Sequence, residues 1–159
     1  MTASERVVFD CNVLFQALVS PAGPARRLLT SAASGDLILF VSAYVLEELA
    51  DVATRPYIIK KYGLDPSVVA DFVEDVKVFA TFVDVVPHVF DFPRDPKDAH
   101  YVDLAVAASA KLIVSRDKDL LSLADESTPE GQDFKARFPG IAILTPPGLL
   151  KMLDEHQAP

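Results

Sequence analysis

Four acidic residues from well-separated parts of the chain are placed where they could work together: Asp10, Glu48, Asp98 and Asp117. Asp10 and Asp117 come just after apolar segments predicted as strands, and Glu48 and Asp98 lie on the first turns of predicted helices. If folding brings them to one edge of a sheet, their oxygens form a pocket suited to a hard divalent cation. Such a pocket predicts metal-dependent phosphodiester chemistry.

Short apolar runs alternate with longer helical patterns along the chain, which is typical of an α/β fold with a mostly parallel sheet of four to five strands. The predicted strands cover residues 6–10, 37–41, 82–86, 112–115 and 141–144. The predicted helices cover residues 24–34, 42–54, 56–62, 66–80, 98–110 and 147–154, with Gly35 as the stop signal of the first. Residues 87–96 and 125–139 are predicted to be loops because of their prolines and polar side chains.

The bulk composition indicates one globular domain, residues 1–159, with 50% hydrophobic and 24% charged residues. The longest apolar runs are too short to span a bilayer, and the N-terminus lacks the basic, apolar, small-residue order of a secretory signal. Cys11 is the single cysteine, which excludes an internal disulfide. We therefore expect a cytoplasmic protein without a membrane partner.

The charge balance argues against a non-specific nucleic-acid binder, because the formal net charge is −8 at pH 7. It does not exclude a nuclease. A cluster of carboxylates contributes several negative charges by itself, and bound metal would neutralise some of them. A cationic partner protein would also suit such a surface.

Asp10 ends the first apolar strand, and ligands of open parallel sheets bind beyond the carboxyl ends of the strands. Asn12 could cap the following helix or hydrogen-bond the carboxylate. The alternative is that Asp10 only caps a turn.

Glu47 and Glu48 are adjacent, so helical geometry has to choose between them. Val45, Leu49 and Val52 form an apolar stripe, and at 100° per residue Glu48 borders this stripe while Glu47 faces farther away. Glu48 is therefore the candidate site residue and Glu47 a solvated charge.

Asp98 shares one side of its predicted helix with Tyr101, Val102 and Ala105, whereas Asp103 points about 140° away. A carboxylate on an apolar face is costly unless a partner stabilises it, and a metal is one such partner. The alternative is an acid that only complements the helix dipole.

The fourth predicted strand repeats the opening pattern of an apolar run followed by polar residues and an acid. Asp117 and Asp119 follow it closely, and either could reach the pocket. Ser115 could hydrogen-bond a ligand, and Arg116 and Lys118 could contact phosphate or be ordinary surface charges.

Together these segments resemble the PIN-domain nucleases, particularly the bacterial VapC-like toxin components of toxin–antitoxin pairs. The matching segments, in chain order, are Val7–Leu14, Ser42–Leu49, Asp95–Asp98, Ser115–Leu121 and Ile143–Pro146. Each motif is short, and the order and spacing of the motifs make the resemblance specific over about residues 6–153.

The resemblance implies a three-layer α/β/α sandwich and an Mg²⁺- or Mn²⁺-dependent endoribonuclease. It places the catalytic, metal-binding acids at the same four positions, with supporting roles for Asn12, Ser115 and Asp119. Ser42, Arg116 and Lys118 are candidate substrate contacts. A homodimer and a small antitoxin partner are typical of such proteins.

Two other functions are compatible with parts of this pattern. A haloacid-dehalogenase-like phosphatase would use Asp10 as a nucleophile, but such enzymes usually carry Asp-x-Asp, and here Asn12 is the second residue of the pair. A non-catalytic PIN-like module could bind RNA or a protein without cleaving it. The histidines, His88, His100 and His156, lack the spacing of metal ligands and are expected to be ordinary loop or surface residues.

Overall fold

A five-stranded, all-parallel sheet forms the centre of the computed structural model, which describes the backbone of residues 4–157 and the side chains of residues 4–155. The strands are β1 Glu5–Phe9, β2 Leu37–Val41, β3 Thr81–Phe82, β4 Leu112–Val114 and β5 Ala142–Leu144. Their order across the sheet is β3-β2-β1-β4-β5. The predicted α/β fold with a parallel central sheet is therefore confirmed.

Helices connect the strands and cover the sheet. They are α1 Cys11–Val19, α2 Pro24–Ala33, α3 Ala43–Ala53, α4 Pro56–Tyr62, α5 Pro66–Phe79, α6 Ala99–Ala107, α7 Lys118–Ser122, α8 Pro129–Arg137 and α9 Pro146–Gln157. The chain moves across the sheet in one direction from β1 to β3 and in the other direction from β3 to β5. Because parallel crossovers are right-handed, the helices that precede β3 and those that follow it lie on opposite faces of the sheet. This gives the three-layer α/β/α arrangement.

The central strands are apolar on both faces. Val7, Val8 and Phe9 of β1 are at most 1% exposed, and β4 is buried along its whole length. Parallel strands need this composition because helices cover both of their faces. The strands pair in a regular register, with Val7 opposite Leu39 on one side and Leu112 on the other.

The strand order creates a switch point beside β1. The chain runs from β1 outward to β2 and β3, and then returns to place β4 and β5 on the other side of β1. Ligands of open α/β sheets bind beyond the carboxyl ends of the strands where the order reverses. Asp10 follows β1 at this point, and its N–H donates to the carbonyl of Val114 at 2.9 Å.

The loop prediction for residues 125–139 is wrong over most of its length, because Pro129–Arg137 form α8. Thr128 caps this helix by accepting a hydrogen bond from Gly131 N at 3.0 Å, and Pro129 occupies its first turn, where a proline is tolerated. Phe134 is 3% exposed and anchors the helix to the core. With Phe134 as its one large buried side chain, the segment shows little hydrophobic periodicity, and the sequence therefore does not mark it as a helix.

Other boundaries also differ from the prediction. Strand β3 covers Thr81–Phe82 instead of 82–86, and both residues are exposed. Helix α1 was not predicted, because seven of its nine residues are apolar and its polar face consists of Asn12 and Gln16 alone. Gly35 does end α2, as predicted: it follows the C-cap Ser34 with φ +88°, a conformation that glycine adopts without steric cost. Within the described part of the chain, no helix has the length and apolar character needed to cross a membrane.

Candidate metal centre

Three of the predicted acids meet at the switch point. One carboxylate oxygen each from Asp10, Asp98 and Asp117 lie within 4.8 Å of one another. Each of the three residues is the N-cap of a helix, α1, α6 and α7 respectively. The sheet and three helix starts thus bring together residues that are distant in sequence.

Asp10 is 2% exposed and held by two hydrogen bonds. Its Oδ1 accepts from Asn12 N at 2.9 Å, and its Oδ2 accepts from Ser115 Oγ at 2.7 Å. Burial raises the pKa of Asp10 to about 6; the bonds from Ser115 and Asn12 lower it, and the charges of Asp117 and Glu48 add to the rise. The carboxyl is therefore held in place, but its hydrogen bonds do not offset the cost of burying its charge.

Asp98 is less well satisfied. It is 6% exposed, and its Oδ2 is buried without a hydrogen-bond partner. Burial, followed by the charge of Asp117, raises the pKa of Asp98 to about 8. A buried carboxylate without a partner is costly, so this oxygen is placed for a ligand that is not part of the chain.

Ser115 connects two of the acids. Its Oγ donates to Asp10, and the same oxygen accepts from Asp117 N at 2.9 Å. Asp117 Oδ1 in turn accepts from Asp119 N at 2.7 Å. Asp119 and Asn12 support the cluster through their backbone N–H groups, and the Asn12 side chain is exposed.

Glu48 approaches the cluster from α3 but is not one of the three acids whose oxygens lie within 4.8 Å. It is half-buried, whereas Glu47 is exposed, as the helical geometry predicted. Glu48 Oε1 accepts from Cys11 Sγ at 3.2 Å, and its Oε2 is buried without a partner. Burial, with the neighbouring charge of Glu48, raises the pKa of the Cys11 thiol and keeps it protonated.

Tyr44 and His100 form an aromatic pair beside the acids that the sequence did not reveal. Their ring centroids are 4.3 Å apart with an interplanar angle of 34°. Ser42 Oγ lies 2.7 Å from His100 Nε2, and the Tyr44 hydroxyl donates to the Lys97 carbonyl at 3.4 Å. Burial, followed by the charge of Glu48, raises the pKa of Tyr44 to about 12.

His100 differs from the expectation of an ordinary loop or surface residue, because it lies half-buried on α6 and burial lowers its pKa. His88 does lie in a loop and is exposed. The side chain of His156 lies outside the described residues. Ser42 is 3% exposed, caps α3 and contacts His100, so a contact between Ser42 and substrate stays a prediction.

Asp103 lies on the same helix as Asp98 but serves the fold. It is 4% exposed, and its Oδ1 accepts from Val89 N and Phe90 N, both at 2.9 Å. His88 Nδ1 lies 2.9 Å from its Oδ2. Asp103 therefore anchors the segment before α6, in line with the prediction that it points away from the site.

Cationic side chains lie next to the acids in sequence. Lys97 precedes Asp98, and Arg116 and Lys118 flank Asp117; all of these basic residues are exposed. They provide local positive charge beside the acidic cluster of an otherwise acidic protein.

Comparison with known proteins identifies the family. A PIN domain model matches residues 6–119, and the chain belongs to the PIN domain family. The uncharacterised protein MJ1680 of Methanocaldococcus jannaschii is 28% identical over 127 residues, in an alignment that covers 77% of this chain and 77% of that protein.

A solved structure shares the fold. The crystal structure of VapBC2 from Rickettsia felis bound to a DNA fragment from their promoter superimposes with a TM-score of 0.51. The alignment covers 88% of this chain and 98% of the other at 12% identity. At this identity the match supports the fold alone, and no residue roles are transferred from it.

Proposed function

We propose that this protein is a divalent-metal-dependent endoribonuclease and the toxin component of a toxin–antitoxin pair. The observation that carries the proposal is the meeting of Asp10, Asp98 and Asp117 at the switch point of the sheet, with a buried Asp98 oxygen that has no partner in the protein. Membership of the PIN domain family supports a nuclease, and the likeness to VapBC2 supports the toxin assignment.

The donor set fits a hard divalent cation. Mg²⁺ and Mn²⁺ prefer carboxylate oxygens, and crowded acids with raised pKa values are relieved when a cation binds among them. Asp10 and Asp98 are the primary ligands in this proposal, while Asp117 and Glu48 complete the site. The chemistry that Mg²⁺ or Mn²⁺ supplies in such a site is activation of water and stabilisation of charge on the phosphodiester.

The remaining steps belong to the chain. Ser115 holds Asp10 and Asp117 in a fixed relation, so the carboxylates need little reorganisation when charge develops. Lys97, Arg116 and Lys118 attract the phosphates of RNA towards the acidic centre. The backbone N–H groups of Asn12 and Asp119 keep two carboxylates oriented.

Cleavage of a mixed RNA pool tests the proposal. Wild-type protein is expected to cleave RNA with Mg²⁺ or Mn²⁺ and to lose this activity in EDTA and in the Asp10→Asn variant. Asp75→Asn, which changes an exposed acid on α5, is the matched control and should cleave like wild type. Calorimetric titration with Mn²⁺ gives a readout that is independent of activity, and Asp10→Asn should weaken binding.

Two results would overturn the proposal in different ways. Metal binding without cleavage of RNA would favour a non-catalytic module. Cleavage that survives in Asp10→Asn would remove the acidic cluster from the mechanism. The toxin assignment is tested separately by induced expression, which should arrest growth with wild type and not with Asp10→Asn.

A further inference from the structure

A cleft of about 280 Å³ opens beside the acidic cluster along one face of α3. It is lined by Tyr44, Glu47, Glu48, Asp51, Arg55 and Lys97. Glu48 connects the cleft to the cluster, because its Oε1 accepts from the Sγ of Cys11, the residue that follows Asp10, at 3.2 Å. Whatever occupies this cleft therefore lies next to the site of cleavage.

The Tyr44 ring in this cleft is already ordered. It lies against His100 on α6, and His100 is itself fixed by its contact with Ser42 Oγ at 2.7 Å. The tyrosine hydroxyl is held by the Lys97 carbonyl. Despite these contacts, Tyr44 is 37% exposed. A rigid and partly exposed aromatic surface loses little conformational entropy when a flat ligand stacks on it.

The charges of the cleft select against phosphate. Glu47, Glu48 and Asp51 outnumber the two cations of the lining, Arg55 and Lys97, and Arg55 is engaged by Asp51 at 2.9 Å. This excess of negative charge disfavours a phosphate group between the acids of the cleft, whereas a neutral, planar group is not disfavoured. The exposed basic residues Lys97, Arg116 and Lys118 lie next to Asp98 and Asp117 in sequence, where they can bind the phosphates of the nucleic-acid backbone.

We propose that Tyr44, supported by His100, is the stacking platform for an unpaired nucleobase next to the scissile phosphate. The inference rests on the proposed nuclease function and narrows the substrate to RNA that is single-stranded at this position. Aromatic side chains bind single-stranded bases in this way with little sequence preference, whereas a base inside a duplex cannot offer its face. Tyr44 is a substrate-binding residue, and His100 positions it.

Binding is measured first, with a short single-stranded RNA that carries one 2-aminopurine, whose fluorescence falls when it stacks. Ca²⁺ replaces Mg²⁺, and a gel shows that the RNA is intact after the measurement. Tyr44→Ala is expected to weaken binding about ten-fold and to abolish the fluorescence change, whereas Tyr44→Phe, which keeps the ring, stays within roughly two-fold of wild type. Annealing the complementary strand should remove the dependence on Tyr44.

Tyr62→Ala is the matched control, since Tyr62 is 38% exposed but does not line the cleft. It should bind RNA like wild type. Equal Mn²⁺ affinity in all the variants shows that the metal centre is intact. If Tyr44→Ala retains the fluorescence change, or Tyr62→Ala loses it equally, the stacking platform is wrong.

Cleavage kinetics separate this inference from the proposed function. With Mn²⁺, Tyr44→Ala should raise KM about ten-fold and leave kcat within roughly three-fold of wild type. Wild-type cleavage that is unchanged in Tyr44→Ala would reject the platform and leave the nuclease standing. Binding that depends on Tyr44 in a protein that cuts no RNA would reject the nuclease and leave the platform standing.

Discussion

Helix α6 carries two buried aspartates with opposite surroundings. Asp103 is 4% exposed, and both of its oxygens have partners in the segment before the helix. Asp98 is 6% exposed, yet one of its oxygens has no partner and burial raises its pKa to about 8. Burial alone therefore does not separate an acid that serves the fold from one that is proposed to serve the site. The difference lies in whether the fold satisfies the carboxylate.

The largest expected effect is on catalysis. Asp98→Asn should lower the single-turnover rate of RNA cleavage by roughly 100-fold or more, because it removes a ligand from the charged centre of the site. Asp103→Asn, assayed at a temperature where it stays folded, should remain within roughly ten-fold of wild type. If the folded Asp103→Asn loses as much activity as Asp98→Asn, the division between the two acids is wrong.

The next largest effect is on stability, and here the Asp103 variant is expected to lose more than the Asp98 variant. Asp103→Ala should lower the free energy of unfolding by about 3 kcal/mol, since it leaves the N–H groups of Val89 and Phe90 without their acceptor. This corresponds to a Tm lower by about 5–10 °C in thermal denaturation. Metal-free Asp98→Ala is the comparison, and it should show no such loss.

The pH dependence of stability sharpens the contrast. In metal-free protein the pKa of Asp10 is raised to about 6 and that of Asp98 to about 8, both by burial, above the usual 3.8. The folded state therefore binds more protons, so this contribution to stability is complete below 3.8 and is lost as pH rises through about 6 and then about 8.

Urea denaturation at several pH values, with EDTA present, measures this loss. Asp98→Asn should flatten the decline at the alkaline end by on the order of 2 kcal/mol. Added Mn²⁺ should stabilise wild type more at high pH than at low pH, because it competes with protons for the same oxygens. If the free energy of unfolding falls equally with pH in wild type and in Asp98→Asn, the role of Asp98 is contradicted.

The smallest effect concerns His88. Its contacts with Asp91 and then Asp103 raise its pKa above 6.5. Its ionic contribution is therefore fully present below pH 6.5 and is lost as pH rises through the folded-state value. His88→Ala should lower Tm slightly more in acidic than in alkaline buffer, and an equal shift in both would show that the ion pair contributes nothing.

Much of the fold is readable from the sequence because parallel strands must be apolar on both faces. The runs at residues 37–41 and 112–114 stand out for this reason, and the glycine after α2 marks its end. Helix α1 was missed because it is apolar on nearly every side. Helix α8 was missed because its polar composition outweighed the capping threonine and the proline that follows it.

The candidate site likewise contains residues that the sequence predicts and features that it does not predict. Asp10 can be placed from the end of its strand, and Glu48 can be chosen over Glu47 from helical geometry, whereas the end of β4 leaves Asp117 and Asp119 as alternatives. The partnerless oxygen of Asp98 cannot be foreseen, since it depends on every neighbouring donor in three dimensions. The Tyr44–His100 pair joins residues from α3 and α6, and no local pattern marks two such residues as neighbours.

The partnerless oxygen of Asp98 also bears on how such a chain would diverge over generations. Most substitutions at buried sites are removed by selection because they bring the fold below its stability threshold. A neutral residue at position 98 does not incur that penalty, so only the requirement for activity would preserve the acid. A lineage released from that requirement is expected to lose Asp98 early and to keep Asp103, whose loss would compromise folding itself.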